Sequence, residues 1–180
     1  MKPTFKPAEL TKAAFFIAMG IVLPMGFHFF QMGGPVFLPM HIPVLLAGFF
    51  LSPLPAVMVG LLTPLLSSIL TSMPPLFPMA VIMMVELAAY AGLVSFSRQR
   101  RLVENRSLAQ ILCLLIAMLG GRIAAGLVVF VLSLTVAGIQ LSPLPYLIGA
   151  VTKGLPGIIL QLIFIPSLLL LLNKARVYDN

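Results

Sequence analysis

LAQILCLLIAMLGGRIAAGLVVFVLSLTVA, residues 108–137, runs for 30 residues with a single charged side chain, Arg122. About 20 apolar residues suffice to cross the hydrocarbon of a bilayer, so this stretch is expected to be a membrane-spanning helix. The chain on either side has the same character. Of its 180 residues 61% are hydrophobic and 8% are charged, and the mean hydropathy is +1.15, far above what a water-soluble domain of this size tolerates. Breaking the chain at its Pro, Gly and charge clusters gives six segments, at about 13–30, 37–51, 54–71, 79–96, 108–137 and 147–172. The expected fold class is therefore all-α: a single polytopic membrane domain with six transmembrane helices. Segments two and three are short and flank Ser52-Pro53-Leu54-Pro55, so they can form one bent hairpin whose spans are tilted or shielded by neighbours.

Six spans at about 20 residues each leave roughly 60 residues for termini and loops. No soluble domain fits there, which excludes a built-in nucleotide-hydrolysing domain, a nucleic-acid-binding module and a large external receptor domain. Any energy source is then an ion gradient or a separate protein. The charges orient the chain. Lys2, Lys6 and Lys12 precede span one, Arg98, Arg100, Arg101 and Arg106 lie between spans four and five, and Lys174 and Arg176 follow span six. The loops 31–36, 72–78 and 138–146 carry no charge. The positive-inside rule places both termini in the cytoplasm, in agreement with an even number of spans. The first segment is too long for a cleavable signal peptide and is expected to remain as a helix.

The remaining charges sit at membrane depth, where each unpaired one costs about 2.5–3.5 kcal/mol on insertion scales. Glu86 lies in span four, Arg122 in span five and Lys153 in span six. At about 1.5 Å rise per residue, Glu86 is roughly 12 Å below the outer end of its span and Arg122 roughly 22 Å above the inner end of its own. An ion pair between them is geometrically allowed and can be a purely structural clasp. Lys153, near the outer end of span six, then lacks a partner; it can snorkel to the headgroups, or line a cavity at the loosened Gly154, Pro156, Gly157 stretch. The three charges leave an excess of one positive, which an anionic ligand could neutralise in an externally facing pocket. Met79, Met83, Glu86 and Tyr90 share one stripe of span four, and Tyr146, Lys153, Pro156 and Gln161 can share one side of span six. Such stripes are ordinary core packing, or the pliable wall of a ligand site. The apolar loops Gln31-Met32-Gly33-Gly34-Pro35 and 73–78 have the composition of hydrophobic lids.

His28 and His41 flank the first outer loop, but two histidines without a companion carboxylate make a weak metal signal, and hydrogen bonding or helix capping is the simpler role. Cys113 is the only cysteine, which leaves no internal disulfide and no thiolate cluster. No metal and no cofactor is expected. Motifs for intramembrane hydrolysis are missing, so the chain is expected not to be an enzyme. His28, His41 and Glu86 make only a thin proton relay, and the alternative of an autonomous proton-coupled carrier rests on them and Arg122.

In span one Ala14 and Ala18 form a small-xxx-small pair, which lets another helix approach closely, within the chain or from a partner. Ala88 with Gly92 and Gly121 with Ala125 are expected to serve internal packing. Six spans in 180 residues, a basic loop between spans four and five, Ala14xxxAla18, and the run Met40-His41-Ile42-Pro43-Val44-Leu45-Leu46-Ala47-Gly48-Phe49-Phe50-Leu51-Ser52-Pro53 together resemble the substrate-binding S components of energy-coupling factor (ECF) transporters. Ser52 stands where a Gly is usual in that run. The resemblance implies high-affinity binding of a vitamin or related micronutrient on the outer side, in a pocket of spans four to six capped by the first and third outer loops. It implies a transmembrane coupling protein and two cytoplasmic ATPases as partners, a subunit that topples to deliver its cargo in a prokaryotic cell membrane, and Ala14 and Ala18 as the contact with the coupling protein. On this view Gln31, His41, Met83, Glu86, Tyr90, Arg122, Tyr146 and Lys153 are the candidate substrate-binding residues. The buried positive excess favours an acid, and the His-Ile-Pro-Val run is similar to pantothenate-type members; cobalamin, folate, nicotinate, lipoate, a pyridoxine-like compound and queuosine precursors remain open. The lack of tryptophan argues against riboflavin or thiamine.

Overall fold

A computed structural model describes residues 6–29, 33–100, 103, 105–136 and 141–175, with the side chains of 28 and 29 outside that set. The described residues form the helices α1 (Pro7–Phe29), α2 (Gly34–Phe37), α3 (His41–Phe50), α4 (Pro53–Thr71), α5 (Val81–Gln99), α6 (Arg106–Thr135) and α7 (Pro143–Lys174). A wide turn, Leu76–Ala80, with Phe77 extended, leads into α5. Helix starts follow local chemistry. Pro53 and Pro143 sit at the first helical positions of α4 and α7, where an N–H has no intrahelical acceptor to lose. Asn105 Oδ1 accepts the Leu108 N–H at 3.2 Å and caps α6.

Among the described residues five helical segments are long and apolar enough to cross a membrane: 7–27, 53–71, 76–99, 106–135 and 143–174. Each overlaps one expected span: 53–71, 76–99 and 143–174 extend theirs by a few residues, and 7–27 and 106–135 are shifted toward the N-terminus. The second expected span, 37–51, takes a different form. It is the short α2, a turn, and α3, a helix of 10 residues. At about 1.5 Å per residue α3 reaches only roughly 15 Å, and it is encased by protein rather than lipid: Val44, Leu45, Ala47 and Phe49 are completely buried. This short segment is shielded by its neighbours.

The helix α5 is central, packing on α3, α4 and α6. A Cβ on Gly60 of α4 would collide with the Leu87 carbonyl and the Ala88 backbone of α5, so glycine is what permits that crossing. The internal small-residue pairs behave as expected: Ala88 and Ala125 are buried, and a Cβ on Gly92 would meet Val57. On α1 the pattern is reversed. Ala13, Phe16 and Gly20 turn inward, whereas Ala14 and Ala18 are exposed among the described residues.

At the bend between α3 and α4 two other elements hold the backbone. The Ser52 N–H donates to Glu9 Oε1 of α1 at 3.1 Å, and Ser95 Oγ of α5 donates to the Leu51 carbonyl at 2.7 Å. Both groups would otherwise be unsatisfied at a helix junction.

Candidate ligand cavity

At the end of the bundle where α2 and the 72–78 turn lie, α5, α6 and α7 enclose a cavity of about 510 Å³. That volume falls in the range of small-molecule sites, and the lining is predominantly apolar with a few charged groups, as such sites require. Met79, Met83 and Glu86 come from the entry and first turns of α5, one helical turn apart, as the stripe predicts. Arg122 comes from α6, and Tyr146, Gly149, Ala150 and Lys153 from α7.

The polar centre is compact. Glu86 Oε1 accepts from Arg122 Nη1 at 2.6 Å and from the Tyr90 hydroxyl, one turn further along α5, at 3.1 Å. His41, the first residue of α3, places Nε2 4.0 Å from the same oxygen and sets its ring edge against Tyr90, with centroids 5.6 Å apart. Glu86 and Tyr90 are each 2% exposed. A Cβ on Gly121 would fall on the Tyr90 ring, so the residue before Arg122 makes the notch that Tyr90 fills. Sequence position thus couples notch and cation on α6.

The centre is incompletely satisfied. Arg122 Nε and Nη2 and both ring nitrogens of His41 are buried without a hydrogen-bond partner among the described residues. A buried donor left unpaired costs about 1–3 kcal/mol, and such groups are uncommon unless something else completes them. Lys153 is exposed at the cavity wall and makes no ion pair among the described residues. Arg122 and Lys153 together outnumber the one carboxylate, Glu86.

Two segments cover the cavity. Gly34, Pro35, Leu38, Pro39 and Met40 belong to the connection between α1 and α3, which includes α2, and Met73, Pro74 and Pro75 to the turn that follows α4. They are fastened differently. In the second lid, Ser67 Oγ and Thr71 Oγ1 both donate to the Met73 carbonyl, at 2.7 and 3.1 Å, so the end of α4 holds its own continuation. In the first, Leu38 adopts a left-handed conformation (φ 50°, ψ 49°), which costs about 1–2 kcal/mol for a residue with a Cβ. Its carbonyl accepts from the His41 N–H at 3.0 Å and from Gln161 Nε2 of α7 at 3.4 Å.

Of the expected site residues, His41, Met83, Glu86, Arg122, Tyr146 and Lys153 line the cavity. Tyr90 lies behind it, bonded to Glu86. Gln31 lies outside the described residues, as does the His28 side chain and the loop segment 137–140. Two expectations need correction. Pro156 is exposed and faces away, because the inward stripe of α7 continues through Gly154, Gly157 and Gln161. Gln161 does not reach the cavity either; it is buried against the first lid. The described covering segments are residues 34–40 and 73–75; Pro145 and Tyr146 of α7 also line the cavity, and the third loop that the resemblance implies as a cap lies partly outside the described residues. Pro24, Leu38, Gly149 and Ala150 also line the cavity and carry no mark in the sequence that separates them from ordinary packing residues.

An apolar helical membrane protein with a lidded, cation-bearing cavity is a solute-binding membrane subunit in form. Residues 8–169 match the family described as "ECF transporter, substrate-specific component", and the chain belongs to that family. It is thus a transport subunit, not an enzyme. No curated protein and no solved structure matches the chain.

Proposed function

We propose that this chain is the high-affinity binding subunit of an ECF-type importer and that its cargo is a small anionic micronutrient, taken up in the cavity beneath the two outer lids. The observation that carries this reading is the charge count at the cavity. Among the described residues Arg122 retains two unpartnered nitrogens after pairing with Glu86, and Lys153 has no anion. A carboxylate or phosphate would meet both cations, while the proline and methionine lining receives the apolar body. Pantothenate is the first candidate.

The chain crosses the membrane six times with both termini cytoplasmic in a prokaryotic plasma membrane. The apolar segment 34–50 supplies the crossing that the five long helices lack, and the basic residues at both ends and between α5 and α6 hold the cytoplasmic side. Transport is driven in trans by two ATPases through a membrane coupling protein. Ala14 and Ala18 receive that partner; their exposure in α1 supports this role over internal packing.

The test is to purify the protein from cells, identify the co-purifying small molecule by mass spectrometry, and titrate that molecule into Arg122→Ala and Lys153→Ala. Both variants should bind more weakly, by about tenfold or more. Undiminished binding in both sinks the anion assignment. Uptake by the chain alone that collapses with an uncoupler, without any ATPase partner, would establish the proton-coupled carrier instead.

A further inference from the structure

Gln161 is 1% exposed in the middle of an apolar helix, where an amide side chain is costly unless hydrogen-bonded. Its partner is the Leu38 carbonyl, 123 residues away in sequence. Around that contact α7 is shaped to receive the first lid. A Cβ on Gly157 would lie 2.7 Å from the Phe37 carbonyl carbon and oxygen and 2.8 Å from the Val36 oxygen. At Gly154 it would lie 3.0 Å from Leu38 Cδ1. Leu38 itself occupies the left-handed region, which a residue with a side chain keeps only when its surroundings over-determine it. The same carbonyl also accepts the N–H of His41, so the corner fixes the start of the helix that carries His41 into the cavity wall.

We propose that Gln161 is a positioning residue that clasps the first outer lid, residues 33–40, to α7 through the Leu38 carbonyl, and thereby sets both the closure of the cavity and the placement of His41. The clasp rests on reading residues 33–40 as a lid over a ligand site, but it can be measured without any ligand, so a wrong substrate assignment leaves the result intact. Amide hydrogen exchange of the ligand-free protein in lipid nanodiscs reports it directly. The Val36, Phe37, Leu38 and His41 amides all donate within this segment, to Gly33, Gly34 or Leu38 carbonyls.

In Gln161→Met, which keeps the length and apolar fit of the side chain, these amides should exchange about tenfold faster, with the α5 amides 82–94 unchanged. Gly157→Ala perturbs the same contact from the other side and should accelerate the same segment, which keeps the test open if Gln161→Met folds poorly. Unaltered exchange at 33–41 in folded Gln161→Met, or in Gly157→Ala where Gln161→Met does not fold, or a rise there no larger than in α5, overturns the clasp.

Discussion

The helices α1 and α5 are both apolar enough to cross a membrane, yet only 17% of the most apolar stretch of α1 is buried among the described residues, against 50% of the stretch that contains α5. α5 presents Glu86 and Tyr90 to the interior, where each polar atom needs a partner, and it is gripped by α3, α4 and α6. α1 turns Ala14, Ala18, Phe15 and Val22 to the outside. Apolarity identifies a membrane helix, whereas burial separates the helix that shapes a site from the one that offers a surface. Substitutions in the two helices should therefore fail in different ways, one in stability and binding, the other in delivery alone.

The largest effect is expected from Glu86→Gln, which strands the Arg122 charge; removing one partner of a buried pair costs about 3–5 kcal/mol. A thermal unfolding midpoint equal to that of the parent in nanodiscs would show that the pair does not hold α5 to α6. Next comes Gly121→Val, which drives a side chain into the Tyr90 ring and should cost about 1–3 kcal/mol by the same measurement. Lys153→Ala is expected to leave the melting temperature in place while weakening binding of the co-purified ligand about tenfold, read by calorimetry. The smallest change in stability, within about 0.5 kcal/mol, is expected for Ala14→Trp, because the site is exposed. Uptake in cells carrying the coupling protein and ATPases should nevertheless fall to background while binding stays at the parental level. Persisting uptake would remove Ala14 from the partner contact and erase the contrast between the two helices.

Much of the site was legible because charge is so expensive in hydrocarbon. Glu86, Arg122 and Lys153 stand out in any apolar sequence, and the axial rise alone predicts that the first two can meet, as they do at 2.6 Å. The methionine stripe of α5 and the proline-rich lids were readable from spacing and composition. Pro156 misled because a proline suggests a loosened helix, yet α7 continues through it and turns it away from the cavity. Gln161 is the opposite case. Its polarity is visible, but its partner is a backbone carbonyl, which has no signature in sequence, and it comes from a loop at the far end of the chain. The short α3 was also ambiguous, since 10 residues cannot declare whether lipid or protein surrounds them.

The sequence by itself determined the class of the protein, its apolar helices and the few charges the membrane would have to tolerate. These are local properties, set by transfer free energies that each residue carries with it wherever it lies. Only the tertiary structure decided which of those residues converge: that Tyr90 settles behind Glu86, that α3 is wrapped by its neighbours, that Ala14 and Ala18 stay exposed among the described residues, and that a glutamine of α7 bonds the Leu38 carbonyl. Convergence depends on how helices cross, and crossing is governed by packing at notches such as Gly60 and Gly121, whose complementary partners lie on other helices.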